Sequence, residues 1–293
     1  MKNPIHILTN HKNDIYCLCV LNDGRLVSGS SDKSIIIYNK KTYQPDLIIK
    51  EHSNFILYLT QFSSGILASC SADDTIKLFN IKGMKYEILQ TLNYHSHYVM
   101  KIIELKNKNI ISCSLDSSII FYLKNNNEYK IDYKDSTRGD CYTIIQTKDN
   151  EICYSEKNDI KICFFDLSER KVKASISNIN KYNGFEWFIM IKNDLLLIPG
   201  ENQISIINTD QYELVRKIEV PGSGWIYGVC MLNKNILFTG DEAKIIKQWI
   251  IEGDNLIMVS KKEKAHDNTI LPLLNIGNGH VASGAKDYSI KIW

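Results

Sequence analysis

Four histidines in this chain are each followed by a serine 17 residues on and an aspartate 21 residues on: His11, Ser28 and Asp32; His52, Ser69 and Asp73; His95, Ser112 and Asp116; His266, Ser283 and Asp287. Serine, histidine and aspartate are the parts of an activated nucleophile: a hydroxyl, the base that takes its proton and the carboxylate that orients the base. An enzyme needs one such set, and this chain carries four. Multiplicity therefore favours a second use of the same groups. In an apolar interior, imidazole, hydroxyl and carboxylate at fixed spacing satisfy one another, where a lone buried polar group costs about 1–3 kcal/mol. The expected role of all twelve residues is structural, and no catalytic residue is assigned.

Two further pairs could carry metal chemistry. His95 and His97, and Cys17 and Cys19, stand at i, i+2, which puts both side chains on one side of a strand. Neither pair has neighbours in sequence to complete a tetrahedral shell, so no metal is expected. Cys70 and Cys113 occupy the place held elsewhere by Gly29, Gly240 and Gly284, which reads as a small core position. The chain has no phosphate loop and no dinucleotide fingerprint, so no cofactor is expected either.

The elements that position these residues recur at a fixed period. The run Leu26–Tyr38 returns as Leu67–Phe79, Ile110–Tyr122 and Val281–Trp293, with weaker copies ending at Cys163, Ile207 and Trp249. The place of Asp32 is taken by Asp73, Asp116, Lys157, Glu201, Ala243 and Asp287, at steps of 41 to 44 residues. That is the period of a four-stranded propeller blade. Each unit reads as short, β-branched apolar runs divided by turn residues, as in Ile15–Leu21, Asn22-Asp23-Gly24, Arg25–Ser30, Ser31-Asp32-Lys33 and Ser34–Tyr38.

Composition narrows the function classes. The 293 residues are 44% hydrophobic and 23% charged, a globular balance that excludes a disordered, collagen-like or coiled-coil chain. Lys and Arg number 35 against 33 Asp and Glu, a net +2 that argues against nucleic acid as the main partner. Met1 to Lys12 lacks an apolar stretch of signal-peptide length, and the apolar runs, such as Leu195 to Pro199, are far short of a membrane span. Eight Cys without a C-x-x-C pair, and no N-x-Ser/Thr site, point to a reducing compartment: the cytosol, with the nucleus also open.

With these residues in view, the chain resembles the WD40-repeat family of β-propellers over essentially its whole length. The resemblance implies an all-β fold of seven four-stranded antiparallel blades in one unit, residues 1–293. The first unit has one strand too many and the last one too few, so residues 4–9 are expected as the outer strand of the last blade, against Ile290–Trp293. The chain departs from the family pattern in having no Trp-Asp pair, in keeping Trp only at Trp249 and Trp293, and in lacking Gly before the four His. The resemblance also implies that each His, Ser and Asp joins the aromatic six residues after the Asp (Tyr38, Phe79, Tyr122 or Trp293) in a buried network. Blades four to six lack it, with Lys157, Glu201 and Ala243 at the Asp place and Thr137, Lys181 and Gly222 near the His place, and should be less tightly tied.

In the family, two positions per blade reach the loop-lined top face. Here the first set is Tyr16, Leu57, Met100, Tyr142, Trp187, Tyr227 and Leu271; the second is Ser31, Ala72, Leu115, Glu156, Gly200, Glu242 and Lys286. Lys286 and Glu242 lie on adjacent blades, where a rim ion pair could form. The second set has no Arg, which disfavours a phosphopeptide ligand. The expected function is a non-catalytic scaffold or adaptor whose top face binds a protein or peptide through an apolar or aromatic anchor, with Glu242 and Lys286 at its edge. A subunit or substrate receptor of a larger assembly, such as a ubiquitin ligase, is the alternative; a propeller hydrolase or lyase is the alternative of another class.

Overall fold

The computed structural model describes residues 3–126, 128–137, 139–157, 161–177, 179 and 188–293. Within these residues the strands form seven antiparallel sheets of four. Blade one is Ile15–Val20, Leu26–Ser30, Ile35–Tyr38 and Pro45–Ile49, hydrogen-bonded in sequence order, and blades two to six repeat that meander. No described helix is long and apolar enough to cross a membrane.

The strand sequences explain the arrangement. The second strands, such as Leu26–Ser30, Leu67–Ser71 and Ile110–Ser114, are buried at every residue, because a neighbouring blade covers each face. They accordingly lack the apolar–polar alternation of a half-buried strand. Outer strands such as Glu213–Glu219 are mostly exposed and charged. Apolar clusters run from blade to blade rather than within one: Cys17, Val27 and Ile35 of blade one pack with Ile56, Leu59 and Phe79 of blade two.

Close approach between blades sets the small-residue position. A Cβ on Gly29 would lie 2.6 Å from Cys17 Sγ and 2.6 Å from Ile56 Cγ2, and one on Gly284 would lie 2.7 Å from Ile15 Cγ2. In the second blade the same place admits Cys70, which packs in the cluster of Val99, a side chain one methyl shorter than isoleucine.

The ring closes through the chain's two ends. His6–Leu8 pairs antiparallel with Ile290–Ile292, matching His6 with Ile292, Ile7 with Lys291 and Leu8 with Ile290. The Ile5 N–H adds a bond to the Ile292 carbonyl at 2.7 Å. The strand is shorter than the expected 4–9, since Pro4 has no N–H with which to extend the ladder. Beneath the seam, Leu8, Ala282, Ile290 and Ile292 of blade seven join Ile15, Leu18, Leu26 and Ile36 of blade one.

Because the blades leave no room at Gly29, Gly29→Ala should destabilise the protein by about 1–3 kcal/mol through overpacking. Equilibrium urea denaturation of the two proteins checks this; an unchanged midpoint would show that Ile56 can yield at no cost.

Candidate functional site

The turn between second and third strands carries the recurring aspartate. In blade one, His11 Nδ1 lies 2.9 Å from Asp32 Oδ2, and His11 Nε2 lies 2.6 Å from Ser28 Oγ. Equivalent pairs join His52 to Asp73 and Ser69, His95 to Asp116 and Ser112, and His266 to Asp287 and Ser283, at 2.6–3.0 Å. The aromatic closes the chain in three of these blades: Tyr38 OH is 3.4 Å from Ser28 Oγ, Tyr122 OH 3.1 Å from Ser112 Oγ, and Trp293 Nε1 donates to Ser283 Oγ at 2.8 Å. In blade two the aromatic is Phe79, which has no polar group.

An indole N–H can only donate, so in blade seven Ser283 accepts from Trp293 and has its own proton for His266 Nε2. His266 then donates from Nδ1 to Asp287. Burial pulls the His266 pKa down against the pull of Asp287, in keeping with a neutral ring.

A further member escaped the sequence reading. Two residues after each Asp stands a hydroxyl, Ser34, Thr75, Ser118 or Ser289, which donates to the other carboxylate oxygen. The backbone N–H after each His, in Lys12, Ser53, Ser96 and Asp267, also donates to the carboxylate. Burial opposes ionisation of all four Asp, yet the histidine, together with the hydroxyl and the backbone N–H, outweighs it and holds the carboxyls well below the usual range. The carboxylate also braces a left-handed residue within the turn: Lys33, Asp74, Ser117 and Tyr288 all have φ between 59° and 70° without being glycine.

Blade six replaces this network with an ion pair that the sequence reading did not foresee. Lys247 Nζ bonds Asp241 and, at 2.8 Å, Ser223 Oγ, while Trp249 Nε1 donates to Thr239 Oγ1 at 2.9 Å. Lys247 and Asp241 are 6% and 1% exposed, so loss of the His–Ser–Asp set has not left this blade without a polar tie. Burial pushes the Asp241 carboxyl up, against the attraction of Lys247.

Five of the positions expected on the top face stand at β-bulges. Pairing of first and second strands slips between Ile15 and Cys17, Ile56 and Tyr58, Val99 and Lys101, and Ile226 and Gly228; Tyr16, Leu57, Met100 and Tyr227 are the extra residues. In blade seven the slip holds both Leu271 and Pro272. A bulge turns its residue out of the regular pleat. Tyr142 instead precedes its strand, with Lys157 Nζ donating to its hydroxyl at 2.7 Å and lying 5.1 Å from its ring. Leu57, Met100, Tyr142, Tyr227 and Leu271 are only 6–8% exposed, and Tyr16 is half-buried. Trp187 lies outside the described residues.

More accessible are three aromatics that the sequence reading passed over: Phe55, Tyr98 and Trp225, each two residues before a bulge residue and 18 before the turn position. Asp14 and Thr269 hold the same place in blades one and seven. Their carbonyls accept the N–H of the second top-face set: Asp14 from Ser31, Phe55 from Ala72, Tyr98 from Leu115, Trp225 from Glu242 and Thr269 from Lys286, at 2.8–3.0 Å. The common offset was the available signal. Tyr16 and Phe55 stack at 6.3 Å, and both pack with Tyr98 and Leu115 on a floor that includes Leu57, Ala72, Met100 and Tyr142. Burial raises the Tyr16 pKa, with Asp14 and Tyr98 adding to it.

The rim charges depart from expectation. Among the described residues no ion pair joins Lys286 to Glu242: Glu242 Oε2 accepts the Trp225 N–H at 3.2 Å, and Lys286 instead acts electrostatically on Asp14. Ser31, Gly200 and Glu156 are buried, leaving Glu242 the exposed member of the set. Below the rim, Lys101 is buried with its Nζ 3.2 Å from Thr143 Oγ1 and 5.5 Å from the Tyr58 ring centre, and burial pulls its pKa down to about 8.

The metal candidates are placed apart from any shell. His95 belongs to its blade's network, His97 is exposed, and Cys17 and Cys19 are buried thiols whose pKa burial raises, that of Cys19 to about 12. Among the described residues no three His, Cys, Asp or Glu are grouped to hold a metal ion.

Seven four-stranded blades, closed at the seam and tied in four of them by a turn carboxylate, make a β-propeller. The family model of the WD domain, G-beta repeat, matches residues 2–39, which span the closing strand and three strands of blade one. That match and the seven-bladed fold together support a WD40-repeat propeller family for the chain. No curated protein matches it in sequence.

Two outcomes follow. Asp116→Ala, which strands the donors of His95, Ser96 and Ser118, should cost about 1–3 kcal/mol in urea denaturation. The folded carboxyl titrates below its ordinary value of 3.8, so its contribution is complete above that pH and is lost as pH falls from there through the lowered folded value. Wild type should therefore lose stability on acidification more steeply than Asp116→Asn; parallel pH profiles would contradict the linkage. In blade six, Lys247→Met leaves Asp241 buried without its cation and should cost about 3–5 kcal/mol, whereas Lys247→Met with Asp241→Leu should recover most of that loss.

Proposed function

We propose that the protein is a non-catalytic scaffold whose top face, over blades one to four, binds a protein segment with an apolar or aromatic anchor. Propellers of this family generally serve as protein-interaction scaffolds. The observation that carries the reading is the arc of half-buried Tyr16, Phe55, Tyr98 and Leu115 over a buried apolar floor. Tyrosine and other large rigid side chains at the edge of a desolvated floor are the residues that dominate binding energy at protein interfaces. Asp14 and Lys286 stand beside the arc as groups that can orient a polar backbone or a charge of either sign. Eight free, buried cysteines favour a reducing compartment, and we place the protein in the cytosol or nucleus.

Affinity capture from native lysate tests the reading, with wild type beside Tyr16→Ala, Tyr98→Ala and an outer-surface control, Met84→Ala. Melting temperatures should first be shown to agree. A specific partner should be retained by wild type and by Met84→Ala and reduced at least about tenfold by the paired tyrosine change, the loss expected for one to two hot-spot side chains. Full retention by the tyrosine variant would place the binding surface elsewhere.

A further inference from the structure

The open sheet edges of a propeller lie at its circumference, where unpaired backbone groups invite another chain unless charge, proline or brevity discourages it. Each of the seven described outer strands carries some such protection. His6–Leu8 is three residues long; Pro45–Ile49 contains Pro45 and Asp46; Lys85–Leu92 contains Lys85 and Glu87; the outer strands of blades three to five carry two or more charges each. In the outer strand of blade six, Asn255–Lys262, both charges, Lys261 and Lys262, stand at the end and leave an uncharged middle. Its middle presents Ile257, Met258 and Val259, exposed by 40%, 48% and 46%. Three consecutive exposed side chains are possible because the pairing with the third strand slips there: Ser260 faces Gln248, Met258 faces Trp249, and Val259 is the extra residue.

Charge is distributed asymmetrically about this run. Asp254 stands at its start, in the turn, and Lys261 and Lys262 stand at its end. Turned end for end, the segment complements itself, with acid meeting base on both sides of an apolar middle. Exposed ion pairs hold Asp254 near Arg216 at 3.5 Å and Lys261 near Glu263 at 2.6 Å; such pairs are worth little and can exchange partners.

We propose that the outer strand of blade six is a self-association surface, where two copies of this chain meet antiparallel about a two-fold axis near Met258. Ile257, Met258 and Val259 of one copy cover those of the other, and Asp254 of each faces Lys261 and Lys262 of its mate. Such an isologous contact closes on itself and stops at two copies. It leaves the top faces of both rings open, so it is independent of the binding function proposed above.

Sedimentation equilibrium from about 1 µM to about 1 mM tests the proposal, a range that spans the modest affinity a single strand contact supports. Wild type should follow a monomer–dimer equilibrium that weakens as salt is raised. Met258→Lys, which sets like charges face to face at the axis, should raise Kd at least about tenfold, and Met84→Lys on blade two, at a residue 66% exposed, should leave it unchanged. Asp254→Lys alone should weaken the dimer, and Asp254→Lys combined with Lys261→Glu and Lys262→Glu should restore it. A wild type monomeric throughout overturns the proposal, as does an equal effect of Met84→Lys. Failure of the triple exchange to restore the dimer overturns the antiparallel pairing.

Discussion

A blade in this ring buries both of its faces only while it has a neighbour on each side, and that condition governs most of what the sequence must supply. It explains why second strands such as Leu26–Ser30 are buried at every residue. It explains why the apolar clusters straddle blades, and why the place of Gly29 and Gly284 admits little more than a thiol. The three residue pairs between His6–Leu8 and Ile290–Ile292 meet the condition at the last gap, where an open edge would otherwise expose blades one and seven together.

Burying both faces also removes the turns and loops at each blade's rim from full hydration, and their polar groups need internal partners. Four blades solve this with a network in which hydroxyl, imidazole and carboxylate are hydrogen-bonded in series to a turn held by the carboxylate. Blade six uses a lysine and an aspartate in place of the histidine and turn aspartate, with Ser223 as third partner. The two solutions differ in their sensitivities. The carboxylate network is spread over several donors, so each bond carries part of the cost, whereas the ion pair concentrates two charges in a site where either alone is strongly disfavoured.

Much of this was legible in residue spacing. The offsets of 17 and 21 residues gave the network, the period gave the seven blades, and the surplus strand at one end with the deficit at the other gave the seam. What spacing could not convey was side-chain direction. Leu57, Met100, Tyr227 and Leu271 stand at bulges but are only 6–7% exposed, and Leu57 and Met100 pack in the apolar cluster beneath Tyr16 and Phe55. Phe55, Tyr98 and Trp225 shared a common offset but differ in type from Asp14 and Thr269 at the same place, so no single residue type marked the position. Lys247 and Asp241 were hidden for the opposite reason: charged residues in a strand read as solvent-facing until the partner that neutralises them is located in space.

The seam has a consequence for how the molecule comes into being. The strands it joins, His6–Leu8 and Ile290–Ile292, are farther apart in sequence than any other paired strands described, so the contact that closes the ring is also its most non-local. Blades two to five can form as each is synthesised, but blade one keeps an uncovered side until blade seven arrives. During that interval Ile15, Leu18 and Ile36 lack their cover, and the open side of blade one is where the growing chain is most prone to stick to other chains.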